Sequence, residues 1–270
     1  MAPAEAGLMA ATCPIQFDVA TLHDSIRAVY TRVAEDPTGD FHFHRGADYA
    51  AKILGYDAAE LATLPARATS RFAGVGNPLA IADISPGQIV LDHACGAGMD
   101  LLLAARRVGP SGKAVGVDMT PRMREEARLS AAEAGLAARV EVRAGMFEEL
   151  PVETGSVDLV ISNGVINLAA DKRRVLREIR RVLRPGGALC VADVVVQREL
   201  TLRARSEPEL WAACIGGALV ESELGLLAAE AGLVDGTILA RFSSFAGSSA
   251  EAKVSADLRL SAVHFSAKAG

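Results

Sequence analysis

The stretch that decides the fold is QIVLDHACGAGMD, residues 88–100. Its first part, Gln88 to Asp92, is rich in apolar and β-branched residues and follows the turn Ser85-Pro86-Gly87, which predicts a buried strand. Its second part is a bend of small residues around Gly96-Ala97-Gly98, and the helical pattern Asp100 to Val108 comes next. Strand, bend and helix in this order predict the first unit of an open α/β sheet.

The same alternation continues towards the carboxyl end of the chain. We predict a second strand over Lys113 to Asp118, and then a helix that starts at Thr120-Pro121 and stops at Gly135. Two late β-like stretches, Gly236 to Phe242 and Asp257 to Ala267, are expected to add antiparallel edge strands. The other predicted strands and helices are Arg139 to Ala144, Val157 to Ser162, Asp171 to Leu183, Ala188 to Val196 and Glu221 to Ala231. This pattern predicts an α/β fold with a Rossmann-like, doubly wound and mainly parallel sheet of seven strands.

Residues 1–84 differ from the rest of the chain, because they show helical spacing and turns without a strand pattern. Leu22, Ile26, Val29 and Val33 recur at helical spacing, and Ala47 to Leu54 has a second helical pattern. We therefore expect an N-terminal segment and helical cap or lid over residues 1–84, followed by the sheet domain over residues 85–270.

The composition excludes several classes of partner. The chain has 270 residues, is 50% hydrophobic and carries a net charge of -5, so it can bury a large core but has no general positive field for nucleic acid. It contains neither a signal-peptide pattern nor a membrane-spanning run, which predicts a cytoplasmic location. The scattered cysteines, Cys13, Cys95, Cys190 and Cys214, favour reduced thiols over a disulfide framework or a zinc site. We expect a small-molecule partner, with neither nucleic acid nor membrane, and a homo-oligomer stays open.

The bend from Asp92 to Asp100 is the expected ligand site, since ligands of open α/β sheets collect beyond the carboxyl ends of the strands. A dinucleotide site would carry a third glycine three residues after Gly98, where Leu101 stands, so an adenosyl ligand without pyrophosphate fits better. Asp118 ends the second predicted strand and is placed to accept hydrogen bonds from both ribose hydroxyls. The alternative for Asp118 is a turn or helix-capping role.

Five short segments are more specific than the glycines of the bend. They are Gly76-Asn77-Pro78, Val117-Asp118-Met119-Thr120-Pro121, Ile161-Ser162-Asn163, Val165-Ile166-Asn167-Leu168 and Arg184-Pro185-Gly186-Gly187. Together they resemble the class I S-adenosylmethionine-dependent methyltransferases of the arsenite methyltransferase type, which are related to the ubiquinone and menaquinone methyltransferases. The resemblance runs from about Gly55 to Leu233.

This resemblance implies a methyltransferase with S-adenosyl-L-methionine as its cofactor. It implies that Asp118 binds the ribose, that Met119 and Met146-Phe147 enclose the adenine, and that Asn163 and the Gly96-Ala97-Gly98 backbone surround the methionine portion. The bend departs from the family at Ala94, where a glycine is common, and at Cys95, which we interpret as a small buried side chain. The expected cofactor-binding residues are Asp92, Ala94, Cys95, Gly96, Gly98, Asp118, Met119, Met146, Phe147 and Asn163.

The arsenic ligands that the resemblance implies are mostly absent. Family members that methylate arsenite bind trivalent arsenic through several cysteine thiolates, because soft sulfur suits a soft metalloid. Here Val75 and Gly164 stand at two of the expected thiol positions, and only Cys214 matches a family ligand. This predicts a small-molecule acceptor other than arsenite. The alternatives are arsenite or another metalloid or thiol acceptor, a non-catalytic adenosyl-binding protein, and a nicotinamide-dependent oxidoreductase.

His42, His44 and Cys214 are the candidate catalytic residues. The two histidines are two positions apart, so in an extended segment they would face one side, with Phe41 and Phe43 on the other. A neutral imidazole can take a proton from an acceptor near pH 7, or the pair can contribute metal ligands, but no third ligand is fixed by spacing and no metal is predicted. The alternative for both histidines is packing in a surface loop.

Two further features bear on the acceptor side. Cys214 belongs to the segment Trp211 to Leu219, which lines the acceptor side in the family, although ordinary helix packing also explains its composition. His93, beside Asp92 in the bend, is a further candidate base. Its alternative is to pack beneath the cofactor.

Overall fold

The computed structural model describes residues 18–41, 43–207, 210–211, 214–243 and 260–270. Within these residues the strands form one sheet in the order β3-β2-β1-β4-β5-β8-β7, and β6 pairs with the end of β5. The strands are β1 (Ile89–His93), β2 (Lys113–Asp118), β3 (Val140–Ala144), β4 (Val157–Asn163), β5 (Leu183–Val196), β6 (Leu219–Val220), β7 (Leu233–Phe242) and β8 (Ser261–Ala269). Strands β1 to β5 run parallel to one another, which confirms the predicted Rossmann-like α/β fold, and the two-residue strand β6 brings the described sheet to eight strands where seven were predicted.

Helices cover both faces of this sheet, so its central strands are buried and apolar. The helices are α1 (Val19–Glu35), α2 (Gly46–Lys52), α3 (Ala58–Ala62), α4 (Ala66–Ser70), α5 (Met99–Arg107), α6 (Pro121–Glu133), α7 (Lys172–Val182), α8 (Leu202–Arg205) and α9 (Glu221–Glu230). Residues of α7 and α9 share one hydrophobic cluster with the sheet, while those of α2 to α6 share another. The predicted boundaries of the central elements differ from these by a few residues at most, except at β5.

Strand β5 begins at Leu183, five residues before the predicted start at Ala188. Leu183 already pairs with Val157 of β4, and the register then shifts so that Ala188 pairs with Leu159. The residues between these two pairs form an irregular stretch that includes Gly186 at φ +75°. A glycine-rich turn pattern in the sequence therefore corresponds to a bulge inside the strand.

The two late strands have different directions. Strand β8 lies between β5 and β7 and runs antiparallel to both. Strand β7 forms the edge of the sheet. Because it is antiparallel to β8, which is itself antiparallel to β5, it runs in the same direction as the core strands. The prediction of two antiparallel edge strands was wrong in this detail, since only β8 opposes the core and it is an interior strand. Residues 257–259 of the predicted strand lie outside the described residues.

Helix α1 brings the N-terminal segment to the carboxyl ends of the central strands. Asp18 caps it by accepting a hydrogen bond from the Ala20 amide, with 3.0 Å between Oδ1 and N. Near its other end, Val33 belongs to a small hydrophobic cluster with Ala97 of the bend and Met123 of α6. The helix thus crosses the bend that the sequence marks as the ligand site.

Candidate functional site

A cavity of about 860 Å³, part of it open to solvent, lies at the carboxyl ends of β1, β2 and β4. The bend and the tips of the strands form one wall, and the N-terminal segment contributes Ile26 and Tyr30 from α1 and Phe72 to Gly74 after α4. The predicted cofactor residues that line it are Asp92, Ala94, Cys95, Gly96, Gly98, Asp118, Met119, Phe147 and Asn163.

The bend owes its shape to three left-handed residues, Ala94 at φ +66°, Gly96 at +52° and Gly98 at +94°. At Gly98 an added Cβ would make an ordinary contact of 3.4 Å with the Cβ of Ala127, so the positive φ and not a lack of space favours glycine there. The alanine at position 94 is strained, because a left-handed backbone costs a residue with a Cβ about 1 kcal/mol. Helix α5 begins directly after the bend, so its unpaired N-terminal amides and the positive end of its dipole lie beside the cavity.

Asp118 is fixed at the tip of β2 by two backbone amides. Its Oδ2 accepts from the Gly96 amide at 2.9 Å and its Oδ1 accepts from the Thr120 amide at 2.7 Å. Burial raises the pKa of this carboxyl, and the two hydrogen bonds oppose that rise. A carboxylate offers about four acceptor positions, so Asp118 can still accept from hydroxyl groups of a ligand.

Three buried carboxyl groups, those of Asp92, Asp100 and Asp118, line the same cavity. Burial, followed by repulsion from Asp100 and Asp118, raises the pKa of Asp92 well above its ordinary value. The Oδ2 atom of Asp92 is buried without a hydrogen-bond partner among the described residues. Such a site favours a cationic ligand and opposes a doubly charged pyrophosphate. S-adenosylmethionine, with its ammonium and sulfonium groups, fits it.

Asn163 uses its hydrogen-bonding capacity within the protein. Its Oδ1 accepts from the amides of Val75 at 2.8 Å and Gly76 at 3.1 Å. Its Nδ2 donates to the Gly76 carbonyl and to Asp100 Oδ2, each at 2.9 Å. The contact of Asn163 with the methionine portion stays a prediction. Its amide group links the segment before Asn77 to Asp100 of α5 through these hydrogen bonds.

The predicted adenine contacts separate into two groups. Met119 and Phe147 both line the cavity. Met146 is not among the described lining residues, and its backbone pairs with that of Glu149 in an isolated bridge. Any role of Met146 at the adenine stays a prediction.

Cys95 and His93 pack beneath the bend. The Cys95 sulfur lies so close to β2 that a Cβ at Gly116 would come within 2.6 Å of it, and burial raises the pKa of this thiol well above its ordinary value. His93 is fully buried, with Nδ1 3.2 Å from Ser162 Oγ and Nε2 3.3 Å from the Phe147 carbonyl. Burial lowers its pKa to about 4, so the ring is neutral near pH 7 and acts as a packing group.

Of the candidate catalytic residues, the structure describes His44 and Cys214 and places neither in the lining of the cavity. His42 lies outside the described residues, and the His44 ring packs 5.1 Å from the ring of Tyr49. Cys214 is buried, its Sγ is 3.8 Å from the Gly164 carbonyl oxygen, and burial raises its pKa to about 12. Neither His44 nor Cys214 is among the described lining residues. The catalytic roles of all three stay predictions.

The three positions at which the resemblance implies thiols converge in space. A Cβ at Gly164 would lie 3.1 Å from Val75 Cγ1, and Cys214 hydrogen-bonds to the Gly164 carbonyl. Gly164 has φ +72°, a conformation that strains any residue with a side chain. No group of three or more His, Cys, Asp or Glu side chains suited to a metal ion occurs within the described part of the chain.

A cap over residues 1–84 was predicted from the sequence, but none of the side chains with which this segment lines the cavity was named as a site residue. Tyr30 lines the cavity, and its pKa is raised by burial and by the neighbouring Cys214. Arg71 also lines it and donates from Nε to the Ala34 carbonyl at 2.7 Å. The apolar spacing of α1 predicted a helix, but nothing local to the sequence indicates which strand tips that helix crosses.

Comparison with known proteins assigns the family. A family model described as a methyltransferase domain matches residues 84–232, more than half of the chain. The chain therefore belongs to the methyltransferase-domain family. Among the helices that the structure describes, none has the length and apolar character needed to cross a membrane.

Within that family the chain is similar to arsenite methyltransferases. It is 44% identical over 179 residues to the one from Halobacterium salinarum, an alignment that covers 66% of this chain and 45% of that protein. It is 33% identical over 225 residues to the one from Aquipseudomonas alcaligenes, with 79% of this chain and 62% of that protein covered. The matched chain thus spans less than two thirds of the length of either relative.

A crystal structure of CrArsM, an arsenic (III) S-adenosylmethionine methyltransferase from Chlamydomonas reinhardtii, shares the fold. The TM-score is 0.69 at 36% identity, and the match covers 77% of this chain and 71% of that one. These findings confirm the predicted similarity to the arsenite methyltransferases, the class I methyltransferase fold and S-adenosylmethionine as the cofactor of this class.

Proposed function

We propose that this protein transfers the methyl group of S-adenosylmethionine to an uncharged small molecule other than arsenite. The observation that carries the cofactor half of this proposal is the group of three buried carboxyls, Asp92, Asp100 and Asp118, along one cavity. In this binding mode Asp118 accepts from the ribose hydroxyls and the partnerless Asp92 oxygen accepts from the ammonium group. Met119 and Phe147 pack on the adenine.

The reaction requires alignment more than acid or base catalysis. The bound cofactor supplies an electrophilic methyl group on a sulfonium, and displacement is fastest when the acceptor atom lies in line with the carbon-sulfur bond. Ile26, Phe72 and Val165 supply apolar surface that excludes water from such a site. The Tyr30 hydroxyl is the group best placed to orient a polar acceptor atom. Burial raises its pKa well above the ordinary value, so it stays protonated.

The neighbourhood of Val75, Gly164 and Cys214 supports an acceptor other than arsenite. A metalloid site needs several thiolates, whereas these positions offer one thiol whose pKa is raised to about 12. The Tyr30 hydroxyl and the Cys214 thiol are both neutral near pH 7. Arg71 is the cation in the lining, and its Nε lies 3.8 Å from a carboxylate oxygen of Glu126. Neutral and paired groups of this kind suit an uncharged acceptor.

Arsenite is tested by incubating the protein with arsenite, glutathione and methyl-labelled cofactor. We expect no methylated arsenic at an enzyme-like rate, and its appearance at such a rate would refute this part of the proposal. The variant Val75→Cys adds a second thiol beside Cys214 and should bind phenylarsine oxide more tightly than the wild type. Val75→Ser is the matched control, because it adds a polar group of similar size without sulfur.

The cofactor class is tested by calorimetric titration with S-adenosylhomocysteine and, separately, with NAD. We expect binding of the first and none of the second, since the three carboxyls repel a pyrophosphate. Binding of NAD alone would support a nicotinamide-dependent oxidoreductase instead.

A non-catalytic adenosyl-binding protein is the second candidate function. It is supported by the lining of the cavity, in which the described residues include no histidine. It predicts tight binding of S-adenosylhomocysteine with no methyl transfer to a broad panel of phenols, thiols and enolic compounds. Turnover of any panel member at an enzyme-like rate would eliminate it.

We further propose that residues 1–84 act as a cap on the S-adenosylmethionine-binding domain over residues 85–270. Ile26 and Tyr30 in the cavity lining support this division. A small-molecule acceptor is the expected partner, and the absence of nucleic acid stays a prediction. A cytoplasmic location also stays a prediction, and the oligomeric state stays open.

A further inference from the structure

We propose that Tyr56 is a positioning residue whose hydroxyl orients Asp100 and Asn163 and thereby fastens residues 74–76 across the cofactor cavity. Tyr56 was not among the residues that the sequence marked as functional. The inference rests on the proposed function in one respect only, namely that this cavity binds the adenosyl cofactor.

The hydroxyl of Tyr56 joins three separate parts of the fold. It lies 2.7 Å from Asp100 Oδ1 in the first turn of α5, 3.2 Å from Asn163 Nδ2 at the end of β4, and 3.1 Å from the Gly76 carbonyl oxygen. The side chain is buried, and burial raises its pKa well above the ordinary value, so the hydroxyl keeps its proton. It therefore donates to the carboxylate and accepts from the amide of Asn163.

These bonds fix the direction in which the Asn163 amide points. With Asp100 and the Tyr56 oxygen as acceptors, Nδ2 faces the bend and Oδ1 faces the Val75 and Gly76 amides. A rotated amide would place two N–H donors against two backbone donors, leaving buried groups unpaired. The Tyr56 hydroxyl thus helps to select the orientation that holds the backbone of residues 75 and 76.

The held segment is packed too closely to accept a shift. A Cβ at Gly74 would lie 2.4 Å from Asn163 Nδ2 and 2.6 Å from Phe72 Cζ. A Cβ at Gly76 would lie 2.7 Å from the Cβ of Ala192. Both glycines therefore mark a close backbone approach rather than a flexible turn. Because Gly74 lines the cavity and Val75 faces Gly164, the fastening sets the wall opposite the cofactor bend.

Asp100 makes this fastening sensitive to pH. Burial raises its pKa to about 6, while the hydrogen bonds from Asn163 and Tyr56 and the charge of Arg107 lower it. From β1 the Asp92 carboxyl faces the same space, and Asp118 in turn repels Asp92. Asp92 and Asp100 interact, so an observed midpoint belongs to the pair. Below that midpoint Asp100 gains a proton, so one of its two oxygens becomes a donor and its hydrogen bond from Tyr56 or from Asn163 is weakened or lost.

The direction in which cofactor affinity changes with pH follows from the charges of the groups involved. A cationic ammonium beside these carboxyls stabilises their ionised form, so binding releases a proton and affinity rises as the pH rises through the midpoint. Without the Tyr56 hydroxyl, Asp100 loses a bond that favours its ionised form. Its pKa must then rise, and the midpoint must move to higher pH.

The experiment is a calorimetric titration with S-adenosylhomocysteine between pH 5 and pH 8 on the full chain. For the wild type we expect the affinity to fall below a midpoint near pH 6. For Tyr56→Phe we expect the midpoint to move up by roughly one pH unit, the size of shift that one hydrogen bond to a charged group supports. Tyr49→Phe, which removes the hydroxyl of another buried tyrosine in the same hydrophobic cluster, should leave the midpoint unchanged.

A purely structural role would give a different result. Tyr56→Phe would then lower the melting temperature, or the affinity at every pH, without moving the midpoint, and that result overturns the inference. If the wild type itself does not bind S-adenosylhomocysteine, the proposed function fails first and the inference fails with it.

Hydrogen exchange on the wild type tests the fastening even if Tyr56→Phe does not fold. After correction for intrinsic rates, the Val75 and Gly76 amides should lose protection below the midpoint, because Asn163 Oδ1 is their acceptor. Protection of these two amides that stays constant from pH 5 to pH 8 contradicts the proposal.

Discussion

The two sides of the cavity are built in different ways. The cofactor side comes from the tips of neighbouring parallel strands, where Asp118 is fixed by amides of the bend and of its own turn. The proposed acceptor side is assembled from distant parts of the chain, with Tyr30 on α1 and Gly74 after α4 in the cavity lining, and with Cys214, which is not among the described lining residues, hydrogen-bonded to the Gly164 carbonyl. The first side depends on local backbone geometry, while the second depends on how a separate segment is held in place. This difference explains why the cofactor can be named more readily than the acceptor.

The largest expected effect is on the cofactor side, from Asp118→Ala. Loss of two hydrogen bonds between a charged carboxylate and the ribose should weaken S-adenosylhomocysteine binding by roughly 100-fold or more, since each contributes about 1.5 kcal/mol. Calorimetry measures the affinity, and circular dichroism establishes that the variant is folded. Asp118→Asn keeps one acceptor oxygen, so its affinity should lie between those of the wild type and Asp118→Ala. An unchanged affinity in folded Asp118→Ala would remove the basis for the cofactor side.

His93 is buried beneath the bend of the cofactor side, and its imidazole should make the free energy of unfolding depend on pH. Its folded pKa is about 4, below the value of about 6.5 expected in the unfolded chain, so only the unfolded state gains a proton between these values. Stability should therefore fall as the pH drops from 6.5 to 4, by about 3 kcal/mol for this group.

Urea unfolding of the wild type and of His93→Asn at pH 7 and pH 4.5 measures this contribution. The buried carboxyls have raised pKa values and act in the opposite direction, so the comparison with the variant isolates the histidine. We expect the variant to lose less stability on acidification than the wild type. Equal losses would mean that His93 titrates normally in the folded protein.

Gly74→Ala tests how tightly the acceptor side is held. The new methyl group would collide with the Asn163 amide, which predicts a loss of about 1–3 kcal/mol of stability and weaker cofactor binding. Gly225→Ala in α9 is the matched control, because no described atom lies within 4 Å of its added Cβ. That control should stabilise the protein by about 0.5–1 kcal/mol. Thermal unfolding that ranks the two variants in the reverse order contradicts the close packing.

The smallest expected effect is that of Ala94→Gly in the bend. Relief of the left-handed strain gains about 1 kcal/mol, and the greater entropy of glycine in the unfolded chain offsets part of it. The melting temperature should therefore rise slightly or stay constant, with cofactor affinity preserved. A clear loss of stability would show that the alanine methyl group packs in a way that the bend requires.

Much of the cofactor side could be predicted from the sequence, because its signals are local. The strand Lys113–Asp118 was predicted with its observed ends, and nine of the ten predicted cofactor residues line the cavity. The position at the end of a strand indicated Asp118, and the bend indicated its small residues, whereas Met119, Met146, Phe147 and Asn163 were named because the motifs around them resemble those of the family. Met146 is the predicted cofactor residue that is not among the described lining residues, and its role stays a prediction.

The long-range contacts of the site could not be predicted in the same way. Tyr56, Asp100 and Asn163 meet across sequence separations of 44 to 107 residues, and no local pattern specifies such contacts. The histidines at positions 42 and 44 were chosen for their chemistry, but His44 packs against Tyr49 and does not line the cavity. Tyr30 carried no signal beyond its place on a helix, although it reaches both the cavity and Cys214.

The binding mode of the cofactor can be observed in a crystal structure with S-adenosylhomocysteine. We expect the ribose hydroxyls within hydrogen-bond distance of Asp118, the ammonium beside the partnerless oxygen of Asp92, and the sulfur facing Val75 and Gly164. A nucleoside bound elsewhere, or in this cavity with its sugar away from Asp118, would refute this binding mode.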